Sequence, residues 1–159
     1  RLDVKSEIVD LEAVLDSVVQ AIRPQAVVKD LALDLEIPGH LPEVLGDTER
    51  VSQILLSLAG NAVKFTDSGD VCLTAHARGD WLEVSVRDTG IGIEAEDLVH
   101  VFDSFRQRNT RLSRRHGGAG LGLACVYQLV KGLEGSITVE STLGAGSRFS
   151  VTLPLVRAG

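Results

Sequence analysis

Two pairs of alternating segments constrain the fold of this chain more than any other feature. Apolar and polar residues alternate over residues 71–77 and Trp81–Asp88, and a short turn around Gly79 joins the two runs, which is typical of a β-hairpin. A second pair, residues 136–140 and 147–155, lies near the end of the chain. Neighbouring antiparallel pairs favour an α+β fold over a doubly wound parallel sheet.

Three segments with helical spacing of apolar residues accompany these strands. We predict helices over residues 10–29, from about 47 to 65, and over 121–132, with one further strand within 28–37. The elements then follow the order α-β-α-β-β-loop-α-β-β. The expected architecture is a two-layer α/β sandwich, in which a mixed, mostly antiparallel sheet packs on three helices.

Composition excludes several functional classes. The chain has 159 residues, and we expect residues 1–159 to form one domain. A net charge of −6 disfavours binding to nucleic-acid phosphates, and no apolar run approaches the roughly 20 residues of a membrane helix. The first residues do not resemble a signal peptide. We interpret Cys72 and Cys125 as buried apolar thiols in a reducing compartment, so we expect a cytoplasmic domain, whether or not the full-length protein is anchored in a membrane.

The second predicted helix carries a narrow polar stripe on an otherwise apolar surface. At 100° per residue its polar residues fall within a sector roughly 80° wide. A polar stripe on a mostly buried helix is typical either of the lining of a cleft or of a solvent-exposed face, and the helix alone does not distinguish them. The stripe consists of Arg50, Gln53, Ser57, Asn61 and Lys64.

A carboxylate continues the apolar face of the strand Trp81–Asp88. Period-two alternation places Asp88 on the same face as Val84 and Val86, where a carboxylate is costly unless a specific donor meets it. Gly90 and Gly92 follow, and we expect them to supply positive φ and close approach to a ligand. One alternative is an aspartate that caps its own turn. An aspartic protease would need a second Asp-Thr-Gly triplet, and the chain has one.

A glycine-rich segment, residues 117–124, opens the third helix. Exposed N–H groups at such a helix start can bind phosphate, although the segment matches neither a Walker loop nor a dinucleotide fingerprint. The ten residues 106–115 before it contain five of the sixteen basic residues. A charged run is usually a solvated surface, but arginines at this place would reinforce phosphate binding. We therefore predict a mobile active-site lid over residues 106–116.

Four short motifs, taken in order, resemble the N, G1, F and G2 boxes of the ATP-binding catalytic domain of bacterial sensor histidine kinases. They are NAVKF, DTGIGI, FDSF and GGAGLGLA. This domain belongs to a superfamily that includes gyrase B-type ATPases, MutL repair proteins and a heat-shock chaperone. The resemblance implies ATP and Mg²⁺ as cofactors, and transfer of the γ-phosphoryl group of ATP to a histidine in a two-component signalling system.

The resemblance also implies a role for each matching residue. Asn61 corresponds to the Mg²⁺ ligand, Lys64 and Arg114 to the residues that reach the β- and γ-phosphates, and Asp88 to the acceptor for the adenine amino group. Ser57, Lys64 and Arg114 are assigned to the transfer step. The remaining residues implied in nucleotide binding are Thr89, Gly90, Gly92, Phe102, Phe105, Gly118, Ala119, Gly120, Leu121, Gly122 and Ser147.

Two positions depart from the family pattern. Ser57 stands where these kinases commonly have Asn or an acidic residue, and Ala119 replaces the usual Thr or Ser of the G2 box. We expect both changes to affect catalysis more than nucleotide binding. An alternative is therefore a catalytically weakened nucleotide-binding module that regulates another kinase. A gyrase- or chaperone-type ATPase would require a carboxylate at position 57 to activate water.

None of the four histidines lies in a helical His-Glu box: His40, His76, His100 and His116 fall in predicted loops, in a strand or near the lid. The resemblance therefore implies that the substrate histidine belongs to a dimerisation domain of the same or a partner kinase. A response regulator would act downstream, and no nucleic acid is expected as a partner. We expect the isolated domain to be monomeric and the full-length kinase to be a homodimer.

Overall fold

The computed structural model describes residues 6–103 and 119–156. Helices and strands follow one another in this order: β1 Glu7–Val9, α1 Leu11–Val28, β2 Ala32–Glu36, β3 Val44–Gly46, α2 Thr48–Lys64, β4 Asp70–Arg78, β5 Trp81–Asp88, α3 Ala95–Leu98, α4 Ala119–Gly132, β6 Ser136–Thr142 and β7 Gly146–Pro154.

The main sheet has five strands in the order β2-β4-β5-β7-β6. β2 pairs with β4 in parallel, and the other three neighbouring pairs are antiparallel. Helices α1, α2 and α4 pack together, with α1 against β2, α2 against β4 and β5, and α4 against β6. The mixed, mostly antiparallel α/β sandwich predicted from the sequence is confirmed.

The two long helices each begin after an aspartate N-cap. The Asp10 side chain accepts a hydrogen bond from the N–H of Ala13, and the Asp47 side chain accepts one from the N–H of Arg50. Apolar side chains from both layers meet in one core between the helices and the sheet. Its largest fully buried members include Leu15, Ile54, Leu58, Leu73, Leu82, Leu123 and Leu153.

Three details differ from the sequence-based expectation. β1 and β3 form a second, two-stranded antiparallel sheet, and three-residue strands are too short for period-two alternation to identify them. β2 begins at Ala32, because α1 continues to Val28 and the chain turns at Asp30 with a φ of +58°. Cys72 is buried as predicted, but Cys125 is exposed, so the interpretation of both thiols as buried was wrong.

Across the described residues, each helix is either too short or too polar to cross a membrane.

Candidate functional site

The candidate site begins at Asp88, the last residue of β5. Asp88 is only 5% exposed and lies on the face of the sheet that carries the helices, as the alternation predicts. Its Oδ1 accepts a hydrogen bond from the N–H of Gly90 at 2.9 Å, and the backbone N–H of Ser147 donates to the same carboxylate. Burial raises the pKa of Asp88 above its usual value, although these two bonds and the charge of Arg87 act in the opposite direction.

The loop after Asp88 packs on the end of α2. The N–H of Ile91 donates to the carbonyl of Phe65 at 3.2 Å, and a Cβ added to Gly90 would lie 2.3 Å from that carbonyl oxygen. Gly92 has a φ of +73°, and an added Cβ there would lie 2.1 Å from the carbonyl oxygen of Thr142. Gly90 does not have a positive φ, contrary to expectation. Both glycines allow close approach of backbone to backbone: Gly90 brings the loop after Asp88 against the end of α2, and Gly92 brings it against the end of β6.

The polar stripe of α2 is partly buried. Ser57 and Asn61 are half-buried, whereas Gln53 and Lys64 are exposed. The side-chain nitrogen of Asn61 is buried and has no hydrogen-bond partner among residues 6–103 and 119–156. An unpaired buried amide costs about 1–3 kcal/mol, and an Asn amide can present either its oxygen or its nitrogen to a ligand. The stripe therefore has the character of a cleft lining at Asn61.

A lysine that the sequence analysis missed holds the end of this helix. The Nζ of Lys29 donates to the carbonyls of Val63 at 2.9 Å and Lys64 at 3.1 Å, and it lies 3.8 Å from a carboxylate oxygen of Asp67. A cation at a helix C-terminus is favourable because it satisfies carbonyls that lack intrahelical partners. Residues 34 positions apart cannot be paired from one sequence, so no local signal reveals this contact.

Two serines complete the site at the β6–β7 turn. Ser147 lies directly opposite Asp88 in the strand register and is 9% exposed. Ser141, opposite Ser147 on β6, accepts from the N–H of Ile93 at 2.8 Å. Sequence analysis predicted Ser147 but not Ser141. Gly146 has a φ of +104°, and an added Cβ there would lie 2.1 Å from the carbonyl oxygen of Asp88. A glycine at this position therefore lets the β6–β7 turn pack closely against the end of β5.

Two other predicted residues make contacts within the protein. The Thr89 hydroxyl accepts a hydrogen bond from the N–H of Asp70 at 2.9 Å and so fixes the start of β4. The ring of Phe102 stacks on Tyr127 with centroids 5.5 Å apart and meets Phe149 edge-on at 6.3 Å. Phe102 is thus anchored on the core, shortly before the predicted lid in the sequence.

Helix α4 begins at the predicted glycine-rich segment. Ala119, Gly120 and Leu121 form its first turn, and Gly122 follows within the helix. A Cβ added at Gly122 would meet no described atom within 4 Å, although glycine inside a helix costs roughly 0.5–1 kcal/mol relative to alanine. The predicted residues Phe105, Arg114 and Gly118, and the predicted lid, lie outside the described residues.

Comparison with known proteins assigns this chain to a family. The sequence profile described as "Histidine kinase-, DNA gyrase B-, and HSP90-like ATPase" matches residues 46–157. The chain belongs to this ATPase family. It is 43% identical over 136 residues to the sensor histidine kinase RcsC of Escherichia coli, covering 85% of this chain and 14% of RcsC. It is 40% identical over 145 residues to the signal transduction histidine-protein kinase BarA of Escherichia coli, covering 87% of this chain and 16% of BarA.

Two solved structures have a fold similar to that of this chain. Full-length ShkA in complex with AMPPNP has a TM-score of 0.86 and 36% sequence identity, covering 99% of this chain and 33% of ShkA. The nucleotide-free catalytic domain of the histidine kinase ThkA has a TM-score of 0.82 at 22% identity, covering 95% of this chain and 98% of that domain. The likeness to ThkA shows the fold alone.

Proposed function

We propose that residues 1–159 form the ATP-binding catalytic domain of a sensor histidine kinase, and that this domain transfers the γ-phosphoryl group of ATP to a histidine of a dimerisation domain. The observation that carries the nucleotide assignment is the buried carboxylate of Asp88, held by two backbone N–H groups at the end of the sheet. Phosphoryl transfer to histidine is supported by the names of the relatives RcsC and BarA. A response regulator would receive the phosphoryl group next.

Asp88 is proposed to accept a hydrogen bond from the 6-amino group of adenine. An ionised carboxylate can only accept, and guanine has a carbonyl oxygen at the same position. Two facing acceptors leave a buried group unpaired, which costs about 1–3 kcal/mol or more. Binding of ATP is therefore expected to exceed binding of GTP by at least about tenfold. Thr89, Gly90, Gly92 and Ser147 would shape the base pocket around this contact.

Asn61 is proposed to bind Mg²⁺ through its amide oxygen. The side-chain nitrogen of Asn61 is buried and lacks a partner within the described part of the chain, and the opposite orientation of the amide would present its oxygen at the same place. Residues 6–103 and 119–156 contain no group of three His, Cys, Asp or Glu side chains that could hold a metal. One amide suits Mg²⁺, which usually keeps several waters and binds substrate phosphates. When bound, Mg²⁺ would neutralise phosphate charge.

The phosphate chain is proposed to lie between α2 and the start of α4. Lys64 on α2 and Arg114 would contact the β- and γ-phosphates, because ammonium and guanidinium groups form charge-assisted hydrogen bonds with phosphate oxygens. The N–H groups at the start of α4 would bind phosphate oxygens, and an added Cβ at Gly122 meets no described atom within 4 Å. The residues assigned to this segment are Gly118, Ala119, Gly120, Leu121 and Gly122. Phe102 and Phe105 would seat the lid.

One observation favours a second candidate, a regulatory module that binds nucleotide but transfers phosphoryl groups poorly. Ser57 lies one turn before Asn61, half-buried, and lines a surface groove with Gln53 and Leu56. A hydroxyl is shorter than an Asn amide and lacks the charge of a carboxylate. It would therefore orient an incoming imidazole weakly, and loss of such a group typically costs about 10²–10⁴-fold in rate.

Phosphotransfer to a supplied dimerisation domain tests both candidates. The domain is incubated with radiolabelled ATP, and label that is acid-labile and base-stable identifies phosphohistidine. Ser57→Asn is expected to raise the transfer rate while leaving the dissociation constant for ATP nearly unchanged. Ser52→Asn is the matched control, because Ser52 lines the same groove but lies more than one turn further from Asn61. If wild type and Ser57→Asn both bind ATP and neither transfers label, the regulatory module replaces the kinase.

A further inference from the structure

We infer that Ser141 determines nucleotide selectivity by fixing the direction of the hydroxyl proton of Ser147. This inference rests on the proposed contact between the Asp88 region and the nucleotide base. Ser141 does not belong to the sequence-predicted site. It acts through Ser147 and is therefore a positioning residue.

Three polar atoms surround the Ser141 hydroxyl. The Oγ donates to the carbonyl oxygen of Gly146 at 2.9 Å and accepts from the N–H of Ile93 at 2.8 Å. The Oγ of Ser147 lies 2.8 Å away, a hydrogen-bond distance at which either hydroxyl is able to donate. All four residues lie where the loop after Asp88 meets the β6–β7 turn.

Counting protons removes the ambiguity between the two hydroxyls. A serine hydroxyl has one proton and two acceptor lone pairs, and a carbonyl oxygen can only accept. The proton of Ser141 is therefore used by Gly146. The remaining bond forms only if Ser147 donates to Ser141. Ser141 then has its full complement of one donated and two accepted bonds.

This direction makes Ser147 an acceptor toward any ligand. Its single proton points to Ser141, so only oxygen lone pairs remain to face a base bound beside Asp88, its partner across the strands. The ionised Asp88 carboxylate also offers only acceptor oxygens. Two adjacent acceptors favour a base that presents an amino group and disfavour one that presents a carbonyl oxygen. Without Ser141, the Ser147 hydroxyl would be free to turn and donate to such a carbonyl.

Comparing ATP with inosine triphosphate tests this inference directly, because the two bases differ at position 6, amino against oxo. Dissociation constants are measured by calorimetry on the folded domain. Wild type is expected to prefer ATP. In Ser141→Ala the preference is expected to fall by about tenfold, mainly through tighter binding of inosine triphosphate. Ser141→Thr keeps the hydroxyl and is expected to restore the wild-type ratio.

A double-mutant cycle separates this role from a general structural one. In a Ser147→Ala background, Ser141→Ala is expected to leave the ratio unchanged, because no hydroxyl remains to be oriented. Ser150→Ala is the matched control: it also breaks a serine–serine bond on β7, at 2.9 Å, and is expected to keep the wild-type ratio. Should Ser141→Ala unfold, Ser141→Cys has a similar volume but a much weaker acceptor for the Ser147 proton, and it is expected to give the same fall.

The outcomes distinguish the inference from the proposed function. A wild-type domain that binds both nucleotides equally overturns the adenine contact of Asp88 and the role of Ser141 with it. A wild-type domain that discriminates, together with an unchanged ratio in Ser141→Ala, overturns the role of Ser141 alone. A fall in the ratio that persists in the Ser147→Ala background also overturns it, because the effect then does not pass through Ser147.

Discussion

Two buried polar pairs lie across the same two strands, β5 and β7, and they differ in what they leave unsatisfied. Ser85 and Ser150 face each other in the register and share a hydrogen bond of 2.9 Å, so both hydroxyls have a partner. Asp88 and Ser147 also face each other, three residues further along β5. This second pair holds a carboxylate that is bound by backbone N–H groups and raised in pKa by burial.

The difference shows which kind of buried polarity indicates a site. A neutral pair that satisfies itself is a structural element, and replacing both partners by apolar groups costs little. A buried carboxylate without a full counter-charge costs stability in every conformation that keeps it ionised. Such a group is expected to be retained where a ligand supplies the missing donor. Substitutions at the two pairs test whether they differ in this way.

The largest expected effect is on ATP binding in Asp88→Asn. An Asn at this position replaces an ionised acceptor by a neutral amide, so the hydrogen bond to the base loses its charge assistance. Hydrogen bonds to charged groups contribute about 1.5–3 kcal/mol, which corresponds to a loss of roughly 10–100-fold in affinity, measured by calorimetry. Ser85→Ala is the control and is expected to bind ATP as wild type does. Equal affinities of wild type for ATP and GTP would overturn the assignment of Asp88 as the acceptor for the adenine amino group.

Titration of Asp88 is expected to change ATP affinity and the free energy of unfolding in opposite directions as the pH is varied. Protonation removes the acceptor, so ATP affinity falls by up to about tenfold per pH unit below the raised pKa of Asp88. The folded state binds this proton at higher pH than the unfolded state, whose Asp pKa is about 3.9. The free energy of unfolding due to Asp88 therefore decreases as pH rises from about 3.9 through the raised pKa.

Calorimetry measures ATP affinity and urea unfolding measures stability across this pH range. Asp88→Asn is expected to lack both of the pH dependences that arise from Asp88. A stability contribution of Asp88 that instead increases with pH would mean that its pKa is lowered by folding. The distinction between the two pairs would then disappear.

Glycine-to-alanine changes test which parts of the site serve the fold and which serve the ligand. Gly90→Ala places a Cβ 2.3 Å from the Phe65 carbonyl oxygen, and we expect a loss of about 1–3 kcal/mol in stability. Gly122→Ala meets no described atom within 4 Å, so we expect a gain of up to about 1 kcal/mol together with weaker ATP binding. Thermal unfolding with and without ATP measures both. A destabilised Gly122→Ala that binds ATP normally would contradict the ligand role.

The smallest expected effect is at the neutral pair. Ser85→Ala leaves the Ser150 hydroxyl without its partner, and we expect a loss of about 1 kcal/mol in the free energy of unfolding. The double replacement Ser85→Ala and Ser150→Ala is expected to recover most of this loss. Neither variant is expected to change ATP affinity. A change in affinity comparable to that of Asp88→Asn would show that the two pairs do not differ in function.

Much of the fold could be predicted because it depends on local patterns. Period-two alternation located β4 and β5, and the helical spacing of apolar residues located α1 and α2. The short strands β1 and β3 could not be predicted, since three residues carry too little pattern and their pairing spans long sequence separations. The exposure of Cys125 likewise depends on which side of α4 contacts the core.

The sequence by itself determined the residue types of the site: a carboxylate that continues an apolar strand face, an asparagine on a helix stripe and glycines in the connecting loop. Only the tertiary structure decided how these residues meet. Gly90 packs against the last turn of α2, Lys29 holds that turn from another helix, and Ser141 orients Ser147 from a neighbouring strand. The physical reason is range: side-chain period and backbone preference act over a few residues, whereas these hydrogen bonds join groups brought together only by folding.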